Sequence, residues 1–297
     1  MSRKRILIIH NPTSGRRRAD FMSKVAVALT DLGVRVDIMV TAHAGHGTEL
    51  AAAVAPNSQD AVVAAGGDGT INEVLNGLAT LADAPPMGII PLGTANVLAL
   101  ELGLMGKPAA IARILFNGPT RTIYPGIIKR QGKPDRLFAM MAGIGLDARI
   151  VAGVSSSLKR FIGKGAYAIE TGRQWLKGNL PDYDMEIDGA PYKAGSAIIT
   201  NGKLYAGRFE IAPDADMGTC GFKVLLLKGS RGQLLGNAVA MAMNRLADKK
   251  DVRMVNATKI VLAGPSGEPL QADGDFIAAL PVTIQASVKP VKVIASP

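Results

Sequence analysis

The chain has 297 residues, 48% of them hydrophobic and only 4% aromatic, and a formal net charge of +10. That length holds two domains of ordinary size, and the single cysteine, Cys220, excludes an internal disulfide or a cysteine-rich metal site and suits a reducing, cytoplasmic setting. No run approaches the roughly 18 apolar residues of a spanning helix; few aromatics and no nucleic-acid motif argue against nucleic-acid binding, so the charge points to an anionic substrate or membrane surface.

In chain order, Lys4 to His10 is strand-like, and the apolar stretch is too short for a signal peptide. Asn11-Pro12-Thr13-Ser14-Gly15 is a polar turn followed by Arg16, Arg17 and Arg18. Guanidinium groups there suit phosphate oxygens, and a solvated basic turn fits the same residues. Phe21, Val25, Leu29 and Leu32 mark a helix face that Gly33 closes, and Val34 to Val40 is a second strand. Thr41 to Gly47 leads into a helix predicted over 48–55. His43 and His46 have no cysteine close by, so zinc is not inferred; His46 reads as a capping or phosphate-side residue.

The central stretch is Asp60 to Leu78. Ala61 to Ala65 has strand character, Gly66-Gly67-Asp68-Gly69-Thr70 is a glycine-rich turn, and Ile71, Val74, Leu75 and Leu78 recur at helical spacing. Glycines let main-chain N–H groups approach a ligand, and a helix start attracts anions. Thr70 and Glu73 have capping-box spacing. Asp68 would repel a bare phosphate, so the turn suggests a nucleotide with a divalent cation between them. The alternative is a tight turn without ligand.

Met87 to Ile90 is a fourth strand, running into Pro91-Leu92-Gly93-Thr94-Ala95-Asn96, with helices predicted from Thr94 to Leu100 and from Pro108 to Phe116. The βαβαβαβα order predicts a parallel sheet whose ligand loops gather at the carboxyl ends of the strands. Asn117-Gly118-Pro119 sets the first domain at residues 1–119, completed by strand-like residues from about 282 to 297. Residues 120–281 are β-rich and mostly antiparallel. Their helical insertions are Val151 to Trp175, a substrate-side, membrane-facing or ordinary surface segment, and Gln233 to Ala247, whose AVAMAM stretch reads as a core helix. Gly143-Ile144-Gly145-Leu146-Asp147 places an acid in a glycine turn. In Leu270-Gln271-Ala272-Asp273-Gly274-Asp275, extended backbone would put Asp273 and Asp275 on one face; a surface turn is the other reading.

Taken together, Asn11 to Gly15, Gly66 to Thr70 with Asn72-Glu73-Val74, Pro91 to Asn96, Gly143 to Asp147, Ala212-Pro213 and Asp273 to Asp275 resemble the diacylglycerol kinase catalytic-domain family, the soluble bacterial lipid kinases related to sphingosine and ceramide kinases. The resemblance implies an α/β N-terminal domain of phosphofructokinase and NAD-kinase type and a C-terminal antiparallel β-sandwich, with ATP and Mg²⁺ in the cleft between them. It implies nucleotide contacts from Asn11, Ser14, Gly15, Arg16, Thr41, Gly66, Gly67, Asp68, Gly69, Thr70, Glu73, Thr94 and Asn96. Asp68 would organise magnesium through water, Asp273 would be the general base, and Asp147 and Asp275 would complete the acidic cluster. Two departures stand out. Asp275 replaces the family's usual Glu, and Gly218 and Thr219 replace acids tied to a structural magnesium, for which Asp214 or Asp216 could substitute. The implied reaction is ATP-dependent phosphorylation of a lipid hydroxyl, diacylglycerol or a related long-chain alcohol. The alternatives are a soluble acceptor or a catalytically silent binding relative. The enzyme would be cytoplasmic, with transient contact at the anionic inner membrane face around Ser157 to Lys177, and a homodimer is compatible with it.

Overall fold

Apolar strands alternating with amphipathic helices build the first unit. Its elements are β1 (Arg5–His10), α1 (Ala19–Asp31), β2 (Arg35–Val40), α2 (His46–Ala52), β3 (Ala61–Gly66), α3 (Asp68–Leu78), β4 (Met87–Pro91), α4 (Val97–Glu101), α5 (Pro108–Asn117) and β5 (Thr120–Ile123). Here and below, the computed structural model describes residues 2–14, 19–153 and 181–297. A last strand, β20 (Val291–Ile294), joins this unit from the end of the chain, giving the sheet order β2-β1-β3-β4-β20-β5. Strands β1 to β4 are parallel, β20 is parallel to β4, and β5 is antiparallel to β20.

The burial of each strand follows from its place. Every residue of central β3 is buried, as expected of a parallel strand covered on both faces, whereas β2 lies at the edge and exposes much of its length. Helices α1 and α5 pack together, as do α2 and α3. The chain passes from β1 outward to β2, then crosses back to β3 on the other side of β1. Strand order therefore reverses between β1 and β3, where ligand crevices of such sheets form.

The second unit spans Pro125–Val288, and Met1–Tyr124 with Lys289–Pro297 make the first. Its strands are β6 (Gly126–Arg130), β7 (Lys133–Phe138), β8 (Met141–Ile144), β9 (Tyr183–Ile187), β10 (Ala190–Ala194), β11 (Ser196–Thr200), β12 (Leu204–Tyr205), β13 (Phe209–Glu210), β14 (Phe222–Leu227), β15 (Arg253–Ala257), β16 (Lys259–Gly264), β17 (Pro269–Ala272), β18 (Asp275–Ala279) and β19 (Val282–Ala286). Among the described residues they form two six-stranded antiparallel sheets, β10-β9-β16-β19-β6-β7 and β15-β14-β11-β8-β17-β18, plus the small β12–β13 pair. The sheets share a core that includes Ile128, Phe138, Ile144, Tyr183, Val224 and Ile260. Strand β9 alternates buried and exposed along Tyr183–Ile187, as a one-sided antiparallel strand should. The chain is thus a mixed α/β unit followed by an antiparallel β-sandwich. Among the described residues, two helices accompany it, α6 (Leu146–Gly153) and α7 (Arg231–Ala242).

Several expectations are revised. The start of the β-rich stretch expected to form the second domain from residue 120 divides: β5 pairs with β20 in the first unit, and β6 pairs with β19 in the second. Likewise β19 stays in the sandwich, so the return to the first unit begins only at Lys289. The AVAMAM stretch is not a core helix. Ala240 and Met241 rest on a small cluster with Ile198, Ile211 and Leu225, while Val239 and Met243 are 53% and 61% exposed. Of the insertion from Val151 to Trp175, only its start lies in α6; residues 154–180 are outside the described residues.

Candidate functional site

In the first unit, hydrogen bonds tie four loops at the carboxyl ends of the strands to one another. After β1, the Asn11 main chain donates to Ala65 O at 3.0 Å, and its side-chain Nδ2 donates to Thr70 Oγ1 at 3.1 Å. Asn11 Oδ1 accepts from the amide and hydroxyl of Thr13, and Ser14 N–H donates to Asn11 O. After β2, the Thr41 amide donates to His10 O at 2.9 Å, and Thr41 is buried. After β4, the amides of Leu92 and Gly93 both donate to Gly66 O. Gly15 and Arg16 lie outside the described residues.

The turn from Gly66 to Thr70 differs from its predicted form. Helix α3 begins at Asp68 with Gly67 as its N-cap, so Thr70 lies within the helix and is buried. Thr70 and Glu73 therefore do not form a capping box. Gly66 is required because Thr70 folds back over it: a Cβ there would stand 2.4 Å from Thr70 Oγ1. Glu73 instead clamps the loop before α2, its carboxylate accepting from Gly45 N at 2.7 Å and Gly47 N at 3.0 Å. The hydroxyl of Thr48 donates to Glu73 O. These bonds satisfy N–H groups at the start of α2, which a helix leaves without internal partners.

Asp68 plays the matching part toward α4. Its oxygens accept from the amides of Asn96 at 2.9 Å and Val97 at 2.8 Å. Asn96 is 1% exposed and left-handed at φ 49°, a conformation Asn tolerates better than most residues. Its side chain closes a ring on Gly93, accepting from Gly93 N and donating to Gly93 O. Helix α4 hence starts at Val97, later than predicted, and Thr94 stands exposed on the loop. A Cβ at Gly93 would approach Gly67 Cα to 2.6 Å, so this glycine permits the two loops to touch.

In the second unit, Asp273 and Gly274 are the two central residues of the β17–β18 turn, with φ of 47° and 85°. These are the left-handed angles of a type I′ hairpin, for which Asp-Gly is a preferred pair. Asp273 and Asp275 therefore do not share the face of an extended strand; Asp275 begins the return strand and is exposed. The Asp273 carboxylate accepts three main-chain N–H bonds, from Ala139 at 2.7 Å, Met140 at 2.9 Å and Met141 at 3.1 Å. The carbonyl of Ala139 accepts from Asn201 Nδ2, and the carbonyl of Met140 from Asn201 N.

Asp147 lies in the first turn of α6. Tyr205 Oη donates to Asp147 Oδ1, and Gln271 Nε2 donates to Oδ2 at 2.5 Å. Burial pushes the Asp147 pKa up, and these two hydrogen bonds act against it. Two residues along α6, Arg149 makes a paired contact with Glu268, at 2.9 and 2.6 Å, and the Tyr183 hydroxyl donates to the same carboxylate at 2.6 Å. Arg149 holds the Glu268 pKa below its usual value; burial, then Glu268, raises that of Tyr183. Asp214 and Asp216 are exposed, and Asp216 Oδ1 accepts from Gly218 N. Neither joins a group of three metal-ligating side chains; among the described residues that grouping occurs at His43, His46 and Glu49. There His46 Nδ1 accepts from Ala42 N, so its ring serves the loop.

Residues 5–127 match the diacylglycerol kinase catalytic domain, and residues 140–295 match the YegS C-terminal NAD kinase beta sandwich-like domain. A diacylglycerol kinase of Bacillus subtilis (strain 168) is 30% identical over 284 residues, covering 94% of this chain and 92% of that protein. The chain belongs to the diacylglycerol kinase catalytic domain family. A diacylglycerol kinase of Staphylococcus aureus (strain MRSA252) is 27% identical over 286 residues, 94% of this chain and 88% of that one. A crystal structure of a diacylglycerol kinase from Bacillus anthracis str. Sterne has the same fold, with a TM-score of 0.80 at 22% identity over 100% of this chain and 99% of that one.

Membership in this family implies ATP and Mg²⁺, and the first unit fits both. Gly67 has φ −91°, open to any residue, and a Cβ there would meet Gly93 Cα only at 3.5 Å, an ordinary contact. Among the described residues nothing demands glycine at 67, whereas a ligand seated on the main chain would. Asp68 accepts one N–H bond on each oxygen. A carboxylate beside a glycine-rich turn is the kind of anionic acceptor that orients waters of a hydrated magnesium ion. Sequence reasoning missed Gln271, Tyr205 and the clamp made by Glu73. Their signal is spacing that matters only once strands are paired.

Proposed function

We propose that this chain transfers the γ-phosphoryl group of ATP, with Mg²⁺, to the hydroxyl of a membrane lipid, diacylglycerol or a related long-chain alcohol. The observation that carries the reading is the match to a diacylglycerol kinase of Bacillus subtilis along 94% of this chain, which takes in both units. The fitted turn at Gly67 supports it from the chain's own geometry. In this reading the first-turn amides of α3 receive phosphate oxygens, where a helix start favours anions. Asn11 borders that turn, Thr41 begins the loop after β2 and bonds the end of β1, and Asn96 holds the Gly93 loop in shape. Mg²⁺, when bound, would neutralise charge growing on the phosphoryl group, with Asp68 orienting its water.

Asp273 takes the proton of the acceptor hydroxyl, its carboxylate held in place by the amides of Ala139, Met140 and Met141. Asp147 contributes a second acid close to the turn that carries Asp273, joined to it through Gln271. The reaction takes place at the anionic cytoplasmic membrane face, to which a net charge of +10 is attracted. No described helix is long and apolar enough to cross a membrane.

The test is transfer of label from γ-labelled ATP with Mg²⁺ to a lipid extract in detergent micelles, with Asp273→Asn alongside. Wild type should yield a labelled lipid. The variant should keep ATP binding and lose at least about 100-fold in kcat, since general base catalysis contributes roughly 10²–10⁴. Turnover near wild type in the variant would remove Asp273 from the role of base. ATP binding without any labelled lipid would defeat the lipid-kinase reading.

A further inference from the structure

The geometry points to Gln271 as a positioning residue that couples Asp147 to the turn carrying Asp273. The inference rests on the lipid-kinase reading for its catalytic meaning, but its structural content stands apart. Gln271 is 1% exposed on β17, two residues before Asp273. Both ends of its amide are used: Oε1 accepts from Gly274 N at 3.0 Å, and Nε2 donates to Asp147 Oδ2 at 2.5 Å. The orientation is determined by chemistry. Gly274 N–H can only donate, so Oε1 must face it, and Nε2 is left facing Asp147. One side chain thus joins an acid on α6 to the main chain of the Asp273–Gly274 turn.

Room for this bond is made across the strand pair. Gln271 lies opposite Gly143 in the β8–β17 register. A Cβ on Gly143 would stand 2.5 Å from Asp147 Oδ2 and 3.1 Å from Gln271 Nε2. The first glycine of Gly143-Ile144-Gly145 therefore serves this hydrogen bond and not a nucleotide. On the far side of Asp147, Tyr205 of β12 donates to Oδ1. Strand β18, which packs on α6, carries Asp275 as its titratable group, and Arg149 of α6 is engaged by Glu268, which also accepts from Tyr183.

Two variants test the coupling. Gln271→Leu removes both bonds and keeps a side chain of similar size at that position. Gln271→Glu reproduces both when protonated, its hydroxyl donating to Asp147 and its carbonyl accepting from Gly274. Once ionised, it sets two carboxylates against each other. We expect Q271L to lower kcat by about 10–100-fold with KM for ATP within about twofold, and to speed hydrogen exchange of the Gly274 amide by at least about tenfold. Q271E should approach wild-type kcat at the acid end of the pH range and lose it as pH rises, because the pair releases its shared proton; wild type and Q271L should lack that limb. A pH profile of Q271E that superimposes on wild type, or full kcat in Q271L, overturns the coupling. If wild type itself labels no lipid, exchange at Gly274 decides. Faster exchange in Q271L upholds the tie while the kinase reading falls, and unchanged exchange overturns the tie as well.

Discussion

Asp68 and Asp147 occupy the same local pattern, an acid in the first turn of a helix after a glycine-containing turn, one in each unit. Their surroundings differ in kind. Asp68 is bonded to the main-chain amides of Asn96 and Val97, and Asp147 to the side chains of Tyr205 and Gln271. The glycines differ in the same way. Gly67 has space beside it, and Gly143 has none, because Asp147 and Gln271 fill it. One motif grammar thus yields a turn with room beside its glycine in the first unit and a filled side-chain network in the second. Main-chain donors do not depend on their own side chains for the bond itself, so the turn around Asp68 depends on its glycines, its acid and the loop shape that Asn96 holds. The network around Asp147 depends on the identity of each partner.

The comparison is tested most severely at Asp68. Asp68→Ala strips two amides at the start of α4 of their acceptor and should cost about 2–3 kcal/mol in urea unfolding, since bonds to a charged group contribute roughly 1.5–3 kcal/mol. It should also weaken Mg²⁺-dependent use of ATP; unchanged Mg²⁺ dependence would limit Asp68 to a structural part. Next, Gly143→Ala should destabilise by about 1–3 kcal/mol through overpacking, measured the same way. Gly67→Ala should alter stability by no more than about 1 kcal/mol yet raise KM for ATP on the order of tenfold, equivalent to about 1.4 kcal/mol. Equal losses of stability in the two alanine variants would erase the distinction between open and closed turns.

The smallest effect concerns pH. Burial raises the pKa of Asp147 in the folded chain above its unfolded value. The folded state therefore holds the proton longer, and stability from this group falls as pH rises through that window. In Asp147→Asn, Oδ1 still accepts from Gln271 and Nδ2 donates to the Tyr205 oxygen. Its stability relative to wild type should be greater at pH 8 than at pH 4, read from urea midpoints at both. A difference independent of pH would show that Asp147 titrates alike in both states.

Much of the architecture was legible in the order of residues. Strands β1 to β4 alternate with helices as the hydrophobic periods require. The break at Asn117 to Pro119 was not the unit boundary, because whether β5 pairs with β20 depends on a strand about 170 residues away. The AVAMAM stretch looked like core because composition reports apolarity and not which side of a helix meets a sheet. The glycine-rich turn and its acid were visible, since consecutive small residues and a charge are local features of the sequence. The clamp by Glu73 was not, since Gly45 and Gly47 are more than 25 residues away in sequence.

By itself, then, the sequence determined the class of each unit, the positions of the glycine turns and the acids available for chemistry, because periodicity, turn propensity and side-chain charge are local properties. Only the tertiary structure decided what each acid does. Asp273 lies in a tight hairpin with three amides on its carboxylate, Asp68 caps a helix 28 residues on, and Asp147 meets Gln271 across 124 residues. The physical reason is that a carboxylate's role is set by the donors that surround it, and strand pairing brings those donors from distant parts of the chain.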